Sequence, residues 1–147
     1  MGLRKFREFV TAPSFNPVIT RTSTAAIIKS RVVKLTAAAN IAHTTGTSGR
    51  AVFGVALAAA TGAGKAVPVQ YFGLVDIHVS TRAVARGAYL RASSGAASTA
   101  SQLGGTVRTT TVNNNIVGVS LTSAAAGAGI RSVTVFLNPN LNTVALA

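Results

Sequence analysis

The chain has 147 residues, 48% of them hydrophobic, with 14 Lys plus Arg against Glu8 and Asp76 and a formal net charge of +12. This length is that of one domain, and the apolar content excludes wholesale disorder. The absence of cysteine excludes disulfides, Cys-ligated zinc and thiol catalysis. So few acids cannot neutralise the cations internally, so the surface is broadly positive and drawn to polyanions or acidic protein surfaces.

Half of the cations, Arg4, Lys5, Arg7, Arg21, Lys29, Arg31 and Lys34, fall in the first 34 residues. Residues 1–24 read as an extended basic N-terminal arm. Pro13 and Pro17 break any long helix, and Phe9, Phe15, Val18 and Ile19 are scattered anchors rather than a periodic face. A short helix across Leu3 to Val10 is the one regular element the arm allows, with Leu3, Phe6 and Val10 on one side. The opening MGLRKFREFV lacks the continuous apolar core of a secretory signal.

Residues 25–147 read as a single β domain. VVKLTA (32–37) and GRAVFGVALA (49–58) are strand candidates. In AVPVQYFGLVDIHVS (66–80) the alternation puts Val67, Val69, Tyr71, Gly73, Val75, Ile77 and Val79 on one face. Gly73 marks a bend, a bulge or the point where a strand changes sheet, and Pro68 suggests an edge start. AYLRA (88–92), TVRTTTV (106–112), NIVGVSL (115–121) and IRSVTVFL (130–137) complete the strand set. The Ala-rich pieces near 56–61 and 122–126 are the only helical candidates. The longest small-apolar run, 51–60, is too short to span a bilayer, and no membrane is expected as a partner. Short strands spaced by Gly-, Ala-, Ser- and Thr-rich turns predict an all-β fold, a compact small β-barrel or sandwich.

An internal echo divides that body into two related β-units, at about 31–80 and 86–137. FGVALAAATGAGKAVPVQYF (53–72) resembles VGVSLTSAAAGAGIRSVTVF (117–136) at an offset of 64. RVVKLTA (31–37) resembles RGAYLRA (86–92) at an offset of 55, leaving nine extra residues within 93–105 of the second copy.

Catalytic chemistry has little material. General acid–base work draws on Glu8, Asp76, His43 and His78, with Tyr71 and Tyr89 in reserve. Asp76 and His78 lie two apart on a strand, on the face opposite Val75 and Ile77, which reads as a solvent-facing pair with Asp76 held by an arginine. His43 reads as a loop residue. TGAGKA (61–66) lacks the first Gly and the terminal Ser or Thr of a phosphate loop and reads as a turn. GTSGR (46–50) is a turn whose amides, with Arg50, offer a place for an anion. No metal, cofactor or catalytic residue is expected. Nucleic acid is an unlikely partner, because stacking aromatics do not interleave with the cations.

The run VVKLTAAANIAHTTGTSGRAVFGVALAAATGAGKAVPVQYFG, then VARGAYLRASSG, then NIVGVSLTSAAAGAGIRSVTVF, resembles the small tailed-bacteriophage capsid decoration (cement) proteins over residues 31–137. The resemblance implies a structural virion protein on the outer surface of the capsid, without cofactor or catalysis. The implied partners are the major capsid protein and neighbouring copies of the chain, in a trimer around capsid symmetry axes. The strong basic charge departs from a family whose members are often acidic or neutral. The contact residues expected on this reading are Arg4, Lys5, Phe6, Arg7, Phe9, Phe15, Arg21, Lys29, Arg31 and Lys34, with arginine suited to bidentate carboxylate pairing.

Overall fold

A computed structural model describes residues 16–44, 52–93, 106–109, 116–127 and 129–138. Ten strands run through these residues: β1 (Val18–Thr22), β2 (Val32–Leu35), β3 (Ile41–His43), β4 (Val52–Ala56), β5 (Ala66–Gln70), β6 (Gly73–His78), β7 (Tyr89–Ala92), β8 (Val107–Thr109), β9 (Ile116–Ser120) and β10 (Ser132–Leu137). They form two five-stranded sheets, ordered β1-β5-β4-β2-β3 and β6-β10-β9-β7-β8, with every ladder antiparallel. The fold is all-β, with no helix among the described residues.

The second sheet repeats the first strand for strand. Val33 lies opposite Gly54, and the register slips before Lys34 meets Val52. Leu90 lies opposite Gly118 with the same slip before Arg91 meets Ile116. The bridges outside the strands match as well: Ile27 with Ala60 and Val84 with Ala124 are antiparallel, Ser23 with Ile41 and Val79 with Val107 parallel. Pairing therefore equates Val33 with Leu90, an offset of 57 rather than 55. It equates Ile41 with Val107 at 66, Gly54 with Gly118 at 64, and Val69 with Val135 at 66. The sequence echo is right for β4 and β9 but two residues out at either side. Alanine and glycine repeats hide small insertions that strand pairing exposes. The nine extra residues of the second unit do fall between β7 and β8, where Ala92 and Val107 are the counterparts of Leu35 and Ile41.

Four places differ from the sequence reading. Val18–Thr22, counted with the arm, is strand β1, paired along its whole length with β5 from Val18–Gln70 to Thr22–Ala66. His43 is in β3 and not in a loop, and the Ala-rich pieces carry bridges instead of helical turns. Pro68 sits in β5, between β1 and β4, and not on an edge. The missing N–H costs no ladder bond there. At the matching position Thr134 donates its N–H to Thr122 Oγ1 (2.9 Å), outside the ladder, and the residue corresponding to Thr122 is Ala58.

The run 66–80 divides as its glycine suggests. β5 ends at Gln70, Tyr71 and Phe72 cross over, and β6 begins in the other sheet at Gly73, whose φ is 91°. Val67, Val69, Gly73, Val75, Ile77 and Val79 are all buried, and only Tyr71, at the crossing, turns outward. Gln70 holds the crossing in place. Its buried Nε2 donates to the carbonyls of Phe72 (2.9 Å) and Leu74 (2.8 Å).

Two apolar clusters form the core. The smaller belongs to the first unit: Ile27, Val33, Ile41, Ala56, Ala60, Val67 and Val69. The larger contains the matching residues of the second unit, among them Val84, Leu90, Val107, Val133 and Val135, together with Val32 and Val55 from the first. One face of the first sheet is thus pressed into the core of the second unit. Small side chains bury little area each, and the shared layer adds to what the first unit buries within itself.

Candidate functional site

The predicted contact residues divide three ways. Arg4, Lys5, Phe6, Arg7, Phe9 and Phe15 lie outside the described residues, as does the GTSGR turn. Lys29 is exposed in the turn before β2, and Lys34 is half-buried on that strand. Arg21 is half-buried on β1 with its guanidinium over the Phe53 ring, 6.0 Å from the centroid. Arg31 is 2% exposed and cannot reach a partner surface.

Arg31 acts inside the protein. Its Nε donates to Nδ1 of His78 at 3.0 Å, and the His78 backbone N–H donates to the Ser30 carbonyl at 2.8 Å. This joins the start of β2 in one sheet to the end of β6 in the other. His43 Nε2 accepts the Ile28 N–H at 3.0 Å. Burial, and then the neighbouring Arg31 charge, hold both histidines below their ordinary value of 6.5. Both imidazoles are therefore acceptors at neutral pH, which is the form these hydrogen bonds require. Asp76 shares the outward face of β6 with His78 but turns elsewhere: Thr134 Oγ1 donates to its Oδ1 at 2.7 Å. The partner is a threonine rather than the expected arginine. TGAGKA is a turn, with Gly64 at φ 75° donating its N–H to the Ser23 carbonyl at 2.8 Å.

The cationic feature that sequence reasoning missed lies in the second unit. Arg91 on β7 is directly opposite Arg108 on β8. Burial and the charges of Arg91 and Arg82 push Arg108 below the ordinary guanidinium range. Like charges opposite one another across a ladder are destabilising. The first unit has Lys34 opposite Ala42 at this place, a single cation. Among the described residues Asp76 is the one carboxylate side chain, against ten Lys and Arg, and it is engaged with Thr134 on β10. The signal was the spacing of Arg91 and Arg108 on two strand candidates, legible only once their register was known.

No protein-family model matches the sequence, and no curated protein matches it. Among solved structures, the chain is similar to the N-terminal base of the head fibre gp8.5 of bacteriophage phi29. The TM-score is 0.59 at 15% identity, covering 85% of this chain and 96% of that one. At that identity the likeness is one of fold.

Proposed function

We propose that this chain is a structural protein of a tailed-phage virion, not an enzyme, that binds the outer surface of a capsid lattice and cements or decorates it. The observation that carries the reading is the fold shared with nearly the whole of a head-fibre base, a part of another phage's virion. The resemblance of residues 31–137 to decoration proteins points the same way. The charge suits the role: ten cations against one carboxylate among the described residues make a surface attracted to an acidic lattice. Arg82, Arg91 and Arg108 act on one another at one edge, and Arg4, Lys5 and Arg7 add three further cations. Repeated identical sites let modest affinity per copy hold many copies in place.

The test is co-sedimentation of the purified chain with undecorated phage capsids. Full-length protein pellets with capsids at low salt and is released as salt rises. Deleting residues 1–15, which spares β1, weakens binding roughly tenfold or more, on the order of 1.4 kcal/mol, while the circular dichroism spectrum is kept. Replacing Arg82, Arg91 and Arg108 by serine weakens it further. Full-length protein left in the supernatant at low salt overturns the reading. Tight DNA binding in a gel shift, with a steep salt slope, would instead favour a non-specific nucleic-acid module, the second reading that the arginine edge allows.

A further inference from the structure

The two units differ in how they satisfy one matching pair of hydroxyls. Thr24 and Ser80 hold equivalent places, their N–H groups donating to the carbonyls of Ile41 and Val107, each at 2.9 Å. In the first unit the Thr24 hydroxyl returns to the same Ile41 carbonyl at 3.1 Å. In the second, the Ser80 hydroxyl is buried and has no hydrogen-bond partner among the described residues.

Arginines flank this place. Arg131 donates its Nη2 to the Ser80 carbonyl, while its Nε and Nη1 are buried and unpartnered among the described residues. Arg108 follows Val107, whose carbonyl holds Ser80, and stands opposite Arg91 across the β7–β8 ladder. The Nε atoms of Arg91 and Arg108 are buried without a partner in the same way. Arg82, two residues beyond Ser80, is exposed, and its charge reaches Arg108. The first unit is plainer: Lys34 and Ala42 stand where Arg91 and Arg108 do, and Lys65 where Arg131 does. Buried donors are costly to leave unmade, and several at one place suit an acceptor from outside the chain. A carboxylate brings two oxygens and a single charge. A phosphate group brings three or more oxygens and close to two charges at neutral pH, and guanidinium forks fit it in bidentate fashion.

We propose that Arg82, Arg91, Arg108 and Arg131, with the Ser80 hydroxyl, form a binding site for a phosphate dianion, free or carried as a monoester. The unpartnered Nε–H groups and the hydroxyl donate to its oxygens, and its charge relieves the opposition of Arg91 and Arg108. The capsid reading uses the same edge, but the inference does not rest on that reading and its test contains no capsids.

NMR titration of the full-length chain with sodium phosphate at about pH 7, against chloride at matched ionic strength, reads the arginine Nε–H signals. Those of Arg91, Arg108 and Arg131 should shift and saturate, with a midpoint of about 1 mM or below. Arg21 is the internal control. Its Nε is also buried and unpartnered, but its guanidinium lies over Phe53 in the first unit, so its signal should follow ionic strength alone. Arg108→Thr should raise the midpoint read at Arg131 by about tenfold, and Ser80→Ala by about threefold. Methyl phosphate, still a dianion, should match inorganic phosphate, whereas acetate and dimethyl phosphate should need about tenfold more. The absence of a saturable shift overturns the proposal, as does an Arg21 signal that moves with the other three. Arg108→Thr and Ser80→Ala proteins that both titrate like wild type overturn it too. Acetate or dimethyl phosphate equal to phosphate also overturns it, and gives the edge to carboxylates of an acidic partner or to a polynucleotide backbone.

Discussion

Gly54 and Gly118 hold the same place in their respective units, each facing the carbonyl of the neighbouring strand so closely that no other residue fits. A Cβ on Gly54 would overlap the Gln70 carbonyl oxygen and stand 2.8 Å from Val69 Cγ1. On Gly118 it would overlap the Phe136 carbonyl oxygen and stand 2.9 Å from Val135 Cγ1. Both glycines sit beside the register slip that β2 and β7 share, so the slip and the missing side chain are one device: the bulged strand approaches its neighbour where only a glycine lets it.

Gly54→Ala and Gly118→Ala are each expected to destabilise the fold by about 2–3 kcal/mol, because backbone carbonyls cannot move aside as side chains do. Gly62, around which a Cβ meets nothing within 4 Å, is the control, and Gly62→Ala leaves stability within about 0.5 kcal/mol. Urea denaturation followed by circular dichroism measures all three. Equal midpoints for Gly54→Ala and Gly62→Ala would show that the close approach has no energetic consequence.

Acid is expected to loosen the junction between the sheets. His43 and His78 are held below 6.5 in the folded protein, by burial first and Arg31 second. A group with a depressed folded value binds its proton less readily folded than unfolded, so stability falls as pH drops from about 6.5 through the lowered values. It is flat above that window as far as these groups decide it. Protonating His78 also removes the acceptor for Arg31 Nε. Thermal melts between about pH 7.5 and 5 should show this loss, and His78→Gln should shrink the dependence. NMR titration of the His78 ring gives the sign directly: a midpoint at or above 6.5 would refute the burial argument.

Much of the fold was legible from the spacing of valines and glycines. The alternation in 66–80 gave the buried face of β5 and β6, and Gly73 gave the change of sheet. The strands at 32–35, 89–92, 107–109, 116–120 and 132–137 all lie within predicted runs. β1 was not legible: VITRT follows two prolines and alternates too weakly to be told from the basic arm, and it becomes a strand only because β5 offers an edge. β3 is three residues long, below the length at which a period can be read. For the site the limit was different. Charge counting along the chain placed Arg31 with the partner-facing cations, yet it is buried between the sheets. It passed over Arg91 and Arg108, which are seventeen residues apart in sequence and adjacent in space. Side-chain direction follows from register, and register in a chain built from Ala, Gly and Val is poorly specified by local pattern.

The turns before β2 and β7 offer an exchange. Ser30 and Gly87 both adopt left-handed backbone, with φ of 62° and 81°. Both donate their N–H to the matching carbonyl, Ser30 to Ala56 at 2.8 Å and Gly87 to Ser120 at 2.7 Å. A side chain in this conformation costs roughly 1–2 kcal/mol, partly offset by the smaller entropy it has in the unfolded chain. Gly87→Ser is therefore expected to cost about 1 kcal/mol, and Ser30→Gly to be neutral or stabilising by up to about 1 kcal/mol. Guanidinium melts of the two single variants and the pair test this, and the pair should be close to additive because the turns belong to different sheets. A stabilising Gly87→Ser would show that the second turn relaxes out of the left-handed region.

The Arg91–Arg108 pair carries the last expectation, which separates stability from binding. The two stand opposite each other with Arg82 adding to the same field, an arrangement that folding alone would remove. Arg108→Thr, which keeps a residue suited to a strand, should stabilise the isolated protein by about 0.3–1 kcal/mol at low salt. The gain should shrink as added salt screens the repulsion. If the proposed capsid-binding role holds, the same change should weaken attachment to capsids, because it removes a cation from the edge that faces an acidic lattice in that reading. Melting temperatures of wild type and variant at low and high salt, set beside capsid co-sedimentation, read both quantities. A variant that is less stable at low salt would mean that Arg108 has a compensating contact within the chain. A variant of unchanged capsid affinity would move the contact surface away from the β7–β8 edge.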